Sequence, residues 1–507
     1  MWLSVAAACL GLRIWVLGVN VANDSYQYLS VANNIATGHG VSTSIPYYET
    51  ELRPGVVPAF STHFPPGYSL LIVALSATGL SGEASGYVVS FLAFVALAPL
   101  FLQLARRLGI HQGAARVALV MMCLNQALLA FSSSLGSELA FTAMTMAALL
   151  LIQASQTATQ DSMAAAVLGG VLAAGAYWIR YAGLLMVGML ALLCVLRLIQ
   201  FRWPQFARAA VSFFTACFCM APILIRNEML VGSWQGYVTK HVLHPAGIGK
   251  AYVVSMYHLF FGFGLARQTA PFVAVCLACV ITLAIVAVRR PGQRKPVSVL
   301  ILAIYAAVYT VGMVYLGITS DISFGERIFV PLLPMLLLLG SAGFTRWQPA
   351  VRRTTIIAVA SIMVIAYGAS NLIGSSLTKA AARHIEVQSA VSGKLRVILD
   401  GDTRVLVSAD GQAVGYGLGR PVVGLVGTDY SNIRWTEQDV HDLMLRYGSH
   451  HILLFPGTDT LDGQRTSQFL RSLAAGKHPP WLRVEAENDR AILFGLACGP
   501  DLPACAN

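Results

Sequence analysis

A chain built from run after run of about 20 apolar residues has one solvent that suits it, the hydrocarbon core of a bilayer about 30 Å thick. Eleven such runs can be marked along the 507 residues, at about 2–22, 86–105, 113–132, 137–155, 163–179, 182–198, 207–225, 271–289, 297–317, 327–344 and 354–373. Inside a bilayer every backbone N–H and C=O must be satisfied within the segment, so runs of this length read as α-helices. Only 11% of the residues are charged. A typical soluble domain carries about 25%, so this chain cannot clothe a water-facing surface. The expected fold class is an α-helical polytopic membrane protein of about eleven transmembrane helices. The N-terminal MWLSVAAACLGLRIWVLG lacks the basic region and small-residue cleavage site of a signal peptide and reads as the first span. Arg13 within it must snorkel or face the protein interior.

The net charge is +11. A soluble protein this basic would suggest nucleic acid as a partner. Here Lys and Arg gather between apolar runs, and orientation in the membrane accounts for them without nucleic acid. Arg106, Arg107 and Arg116 bracket the second connection, and Arg197, Arg202 and Arg208 the sixth. Arg289, Arg290, Arg294 and Lys295 fill the eighth, and Arg346, Arg352 and Arg353 the tenth. All are even-numbered, so all share one face, which the positive-inside rule makes cytoplasmic. Residues 23–85 and 226–270 are then long outer loops, and the tail from about 374 is extracytoplasmic.

The tail reads differently. RVLVSADG, RPVVGLV and HHILLFPG are short β-like runs, interleaved with helix-compatible stretches such as TEQDVHDLMLRYG. The expected division is a transmembrane region over 1–373 and a small α/β domain over 374–507. Seven of nine cysteines sit inside apolar runs, where Cys acts as a small hydrophobe. No CxxC lies beside a His cluster, so zinc is not indicated. Cys498 and Cys505 lie outside the spans and can pair in an oxidising compartment.

Chemistry-bearing residues gather at outer span ends. Asp24 follows the first span within NDSYQYLSVANNIATGHG. Tyr28, Val31, Ala32 and Ile35 can share one helical stripe, which describes a helix along the interface, opened by Asp24 and stopped by Gly38–Gly40. Asp24 is then a helix cap or a functional carboxylate. Further along, His63 precedes Pro65–Pro66, which enforces an extended approach to the next helix. Glu138 opens the fourth span, where it can complement the helix dipole. Lys240, His241 and His244 form a basic cluster in GYVTKHVLHPAG; two His at i, i+3 can bind a metal, but no third ligand is evident.

The order of these features resembles the GT-C glycosyltransferases, membrane enzymes that use polyprenyl-phosphate sugars and include protein O-mannosyltransferases and aminoarabinose transferases. The matching features are a first span ending in Asp, an interfacial helix ending in Gly-x-Gly, and a Pro-Pro re-entry. FSSSLGSELAF, YWIRYAGLLMV, APILIRNEMLVGS and SFGERIFVPLLPMLLLL resemble the family's later motifs, in the expected order over about 1–345. Many members have Lys-Pro-Pro where this chain has Phe64-Pro65-Pro66, so His63 or Arg53 would have to stand in for that Lys.

The resemblance implies a transferase in the bacterial cytoplasmic membrane. It would move a sugar from a polyprenyl-phosphate donor to an extracytoplasmic glycan, lipid or protein. Asp24 would be the general base, with the second carboxylate among Glu49, Glu51 and Glu138. His63, Arg53, Arg180 and Arg327 would contact the donor phosphate, with Arg226 a further outer-face cation. Tyr26, Lys240, His241 and His244 would contact acceptor or loops. Some relatives use a divalent cation, Mg or Mn, which Asp24 and Glu138 would hold here, and others use none. The competing readings are a transporter or flippase and a non-catalytic scaffold. A transporter is expected to show internal repeats, Gly- or Pro-broken spans and charges at mid-depth. No repeat is apparent here, and the notable charges lie at span ends. The topology predicts that a reporter fused after Asn507 is active only outside the cytoplasm. Cytoplasmic activity would move the whole outer set of residues to the wrong face.

Overall fold

The computed structural model describes residues 23–157, 162–236, 245–261, 297–319, 325–347, 383–427, 433–456 and 465–497, together with 11 and 21. The expected spans at 271–289 and 354–373, almost all of 2–22, the Lys240–His241–His244 cluster and the Cys498/Cys505 pair lie outside the described residues. The chain divides into two compact units. One comprises Met1–Val19, Ala84–Arg226 and Lys240–Lys379; the other comprises Asn20–Glu83, Asn227–Thr239 and Ala380–Asn507. The second unit thus takes in the loop after the first apolar run as well as the tail.

The first unit is helical. Among the described residues, five helices are long and apolar enough to cross a membrane: Gly82–Arg107, Glu138–Thr157, Tyr181–Ile199, Trp203–Val231 and Val297–Thr319. This is an integral membrane protein. The run expected as one span at 113–132 is two helices, Gln112–Cys123 and Gln126–Ser132, bent by 57°. The break has a side-chain cause. Asn125 Oδ1 accepts the Leu128 N–H at 3.1 Å, capping the second helix, while its Nδ2 donates to the Leu259 carbonyl at 2.7 Å. The run at 327–344 is likewise divided, into Glu326–Phe329 and Leu332–Trp347, with Pro331 at the join, where a residue lacking an N–H suits a helix start. The tight hairpin expected near 180 forms because Arg180 leaves helical geometry, at φ −147 and ψ 137.

Small residues let these helices approach. Ser212 of the Trp203–Val231 helix donates to the Ala166 carbonyl at 2.8 Å. A Cβ on Gly170 would lie 2.5 Å from the Ser212 carbonyl oxygen. Close backbone approach through glycine is how helices associate where burial in lipid gives no hydrophobic drive.

The second unit is mixed α/β. It opens with the Asn23–Ala36 helix, then β1 (Ser42–Thr43) antiparallel to β2 (Ala59–Phe60), then the Gly67–Ser76 helix. The tail forms a five-stranded sheet from β3 (Leu406–Ser408), β4 (Val422–Gly424), β5 (His451–Leu454), β6 (Leu482–Glu487) and β7 (Ile492–Leu496), in the order β4-β3-β5-β7-β6. β3 runs parallel to both β4 and β5, and β7 is antiparallel to β5 and β6. The helices Gly411–Leu418 and Glu437–Tyr447 make the crossovers that parallel strands require.

The first loop covers the edge of this sheet. Val422 N donates to the Ser44 carbonyl at 3.2 Å and Gly424 N to the Pro46 carbonyl at 2.8 Å. Residues 44–46 therefore lie along β4 and use donors that would otherwise stand open. Tyr47, Tyr48 and Leu52 enter the same apolar core as Val407, Val423, Trp435, Ile452 and Phe494.

Replacing Gly170 with Ala is expected to cost about 1–3 kcal/mol through overpacking against a backbone carbonyl that cannot move alone. The check is a lowered unfolding transition of the purified protein in detergent. An unchanged transition would mean the two helices are not in close contact there.

Candidate active site

Asp24 sits in the first turn of the Asn23–Ala36 helix, half-buried, where a carboxylate complements the helix dipole. Polar side chains on the helix tie it to the following loop. Gln27 Nε2 donates to the Ile45 carbonyl at 2.9 Å, Thr43 Oγ1 donates to Gln27 Oε1 at 3.0 Å, and Asn34 Nδ2 donates to the Ser42 carbonyl at 3.0 Å. These partners are buried, where each bond is costly to leave unmade. The helix ends as its sequence expects: Gly38 at φ 86 and Gly40 at φ 69 adopt backbone that β-carbon-bearing residues avoid. Asp24 is thus presented on a fixed element.

Tyr26, expected as an acceptor contact, is fully buried. Its hydroxyl accepts from the His384 backbone N–H at 3.2 Å and meets His384 Nδ1 at the same distance. Its ring lies 5.3 Å from that of Tyr416. Burial pushes the Tyr26 phenol up to about 12, so it stays protonated and acts as a hydrogen-bonding wall.

Arg53 and His63, expected as donor-phosphate contacts, each have a partner within the protein. Arg53 pairs with Glu49 at 3.1 Å on an exposed turn. His63 stacks flat on Tyr48, ring centroids 3.3 Å apart, with its neighbour Phe64 edge-on at 4.6 Å. Beneath lies Glu51, 0% exposed. Its carboxyl accepts the backbone N–H groups of Tyr47 and Tyr48 at 3.1 and 3.3 Å and the Ser61 hydroxyl at 3.1 Å. Desolvation outweighs those donors and pushes the carboxyl up to about 7.

In the first unit Arg180 Nη1 meets Glu138 Oε1 at 2.7 Å and Ser137 Oγ at 2.9 Å. The extended conformation of Arg180 and the N-terminal position of Glu138 on its helix bring the pair together across the hairpin. Tyr309 lies within electrostatic reach of both and donates its hydroxyl to the Ile328 carbonyl at 2.8 Å. That carbonyl belongs to the short Glu326–Phe329 helix, which also carries Arg327. Arg226 lies within electrostatic reach of the Tyr181 phenol. The structure therefore gathers Glu138, Arg180 and the Arg327-bearing turn, with Tyr309 from the middle of the Val297–Thr319 helix, into one polar cluster.

Among the described residues, no three His, Cys, Asp or Glu side chains are placed to hold a metal ion. The charge of Glu138 is already offset by Arg180. Sequence reasoning missed Tyr309, Ser137 and His384. Tyr309 is one more aromatic in an apolar run, and His384 meets Tyr26 from 358 residues away.

The state of Glu51 has a consequence for stability. A carboxyl raised in the folded protein binds its proton more tightly there than in the unfolded chain. Stability is then present below the unfolded value, near 4.5, and is lost as pH rises through about 7. Glu51→Gln is expected to flatten that fall, raising stability at pH 8 by on the order of 3 kcal/mol. Thermal unfolding of the two proteins at pH 5 and pH 8 checks this. A parallel pH dependence in both would assign the effect elsewhere.

No protein-family model matches the sequence, and no curated protein matches it. Solved structures do match in fold. ArnT from Cupriavidus metallidurans bound to undecaprenyl phosphate is 14% identical, covers 97% of this chain with 97% of its own, and superposes with a TM-score of 0.61. The oligosaccharyltransferase AglB from Archaeoglobus fulgidus, in complex with an inhibitory peptide and a dolichol-phosphate, is 13% identical over 99% of this chain and 74% of its own, with a TM-score of 0.55. An oligosaccharyltransferase from Archaeoglobus fulgidus in complex with Zn and sulfate is 14% identical over 98% of this chain and 73% of its own, with a TM-score of 0.59. At these identities the likeness is one of fold, and the chain adopts the GT-C fold that its ordered motifs resemble.

Proposed function

We propose that this protein is a membrane glycosyltransferase that moves a sugar from a polyprenyl-phosphate donor to an acceptor outside the cytoplasm, with Asp24 as general base. The observation that carries the reading is the fold match along nearly the whole length of both chains to a protein captured with undecaprenyl phosphate. Two placements support it. Asp24 stands on a rigid helix directly after the first apolar run, and Arg180 is held in a fixed orientation at a helix junction.

A polyprenyl-phosphate sugar keeps its tail in the bilayer, so its reacting carbon stays at the membrane surface. The acceptor hydroxyl attacks the anomeric carbon and the bond from that carbon to the phosphate oxygen breaks. The hydroxyl proton passes to the Asp24 carboxylate. Polyprenyl phosphate leaves with the bonding electron pair, and its growing charge needs a preorganised cation. Arg180 suits that task because a guanidinium offers a planar fork to phosphate oxygens. Glu138 then acts as a positioning residue that aims Arg180, and Arg327 is the second candidate cation. We assign Arg53 to its surface pair and His63 to the aromatic packing beside Glu51. The charge distribution of the connections supports placing the tail and the residues proposed for chemistry on the extracytoplasmic face.

In a purified assay with a lipid-linked sugar, Asp24→Asn is expected to lower kcat by about 10²–10⁴. Its unfolding transition should stay close to that of the parent. Arg180→Lys keeps the charge but loses the fork, and is expected to lower kcat/KM for the donor about tenfold. Parent-like turnover by Asp24→Asn would overturn the assignment of the base.

A further inference from the structure

The second unit contains a cavity of about 550 Å³ that the transferase reading leaves unused. Its volume falls within the roughly 300–1,000 Å³ of small-molecule pockets. The Asn23–Ala36 helix forms one wall through Tyr26, Leu29, Ser30 and Asn33. These positions follow the i, i+3, i+4, i+7 spacing of one helix face. Asp24 lies two residues before Tyr26, about 200° round the helix axis, and is not part of the lining. The cavity and the proposed base therefore belong to different faces of one helix.

The lining has a definite chemistry. Its deep residues are apolar or aromatic: Tyr26, Leu29, Ile45 and Ile72 are all buried. Its outer residues are hydroxyls, an amide and a carboxylate, from Ser30, Asn33, Ser44, Ser81 and Glu83. The two formal charges are both engaged within the protein. Glu83 Oε2 accepts the Tyr416 hydroxyl at 2.9 Å, while Arg420 donates to the Leu399 carbonyl at 2.7 Å and to the Arg404 carbonyl. The lining carries one carboxylate and one guanidinium, so it has no net formal charge and favours neither a net anion nor a net cation. Gly415 opens the wall further: a Cβ there would overlap the side chain of Ile45.

A ligand that fits must be uncharged, carry hydroxyls around its edge and present an apolar face to the tyrosine rings and aliphatic floor. A pyranose has that character, with C–H groups on its faces and O–H groups round its rim. A lipid chain would leave the ring of polar side chains without partners, which costs free energy. We propose that this cavity is a binding site for a neutral saccharide, separate from the face that carries Asp24.

The site goes beyond the transferase reading and can be tested without turnover. The full-length protein is placed in lipid nanodiscs, because alkyl-glycoside detergents present saccharide head groups. A panel of methyl hexosides and neutral hexose disaccharides is then titrated by calorimetry. Saturable binding is expected to at least one member. Affinity should fall at least tenfold in Glu83→Gln, and in Asn33→Trp, which fills the mouth. It should be unchanged in Asp24→Asn, so loss of transfer and loss of this site are separable. Absence of saturable binding across the panel would overturn the proposal. So would parent-like affinity in Glu83→Gln, which decides the matter alone if Asn33→Trp fails to fold. Capture of a fluorescent fatty acid in place of the saccharides, relieved by Glu83→Gln or Asn33→Trp, would reassign the cavity to lipid.

Discussion

Two backbone hydrogen bonds, Val422 N to Ser44 O and Gly424 N to Pro46 O, hold the loop after the first apolar run to the edge of the tail sheet. Much of the second unit follows from them. They make residues 44–46 an edge segment, which places Tyr47, Tyr48 and Leu52 in the sheet's core. Through Gln27, Thr43 and Asn34 the same segment is tied to the Asn23–Ala36 helix. A loop of some sixty residues that needed only to be hydrated is thereby ordered by a domain more than 300 residues downstream. Gly424 shows how tight the fit is, since a Cβ there would run into the Tyr47 ring.

The Arg180–Glu138 pair answers a different constraint. With side chains 23% and 7% exposed, both charges have given up much of their water. Such a pair is weak evidence for stability, because desolvation offsets the Coulomb gain. Its value lies in orientation. Removing Glu138 would leave a half-buried guanidinium free to choose another rotamer, whereas the pair and Ser137 fix one. That is what electrostatic stabilisation of a leaving phosphate requires, since a cation already in place needs no reorganisation as charge develops.

The membrane class, the sequence ranges of most described helices and the helix that begins near Asp24 were legible because each depends on local pattern. Apolar length marks a span, and a stripe closed by Gly38 and Gly40 marks a helix and its stop. The break at Asn125 was not legible. An Asn inside an apolar run looks tolerated until its side chain is seen to cap one helix and bond another. Neither was the partnership of Tyr26 with His384 and Tyr416, or of Glu83 with Tyr416, because sequence carries no signal for pairs more than 300 positions apart. The partners of Arg53 and His63 were not legible either: a carboxylate four residues back engages one and an aromatic ring the other.

The Asn23–Ala36 helix shows why one element can serve two chemistries. A helix offers faces that cannot see each other, and only its N-terminus carries a favourable field for an anion. Asp24 uses that end. The opposite face, anchored by Tyr26 at 0% exposure, has the tail helix Gly411–Leu418 beside it and is shielded from bulk water at its floor. Coupling both to one rigid rod means that a saccharide held in the cavity would be in register with the helix that carries the proposed base. No moving part is required, because the distance between two faces of one helix is fixed by its geometry.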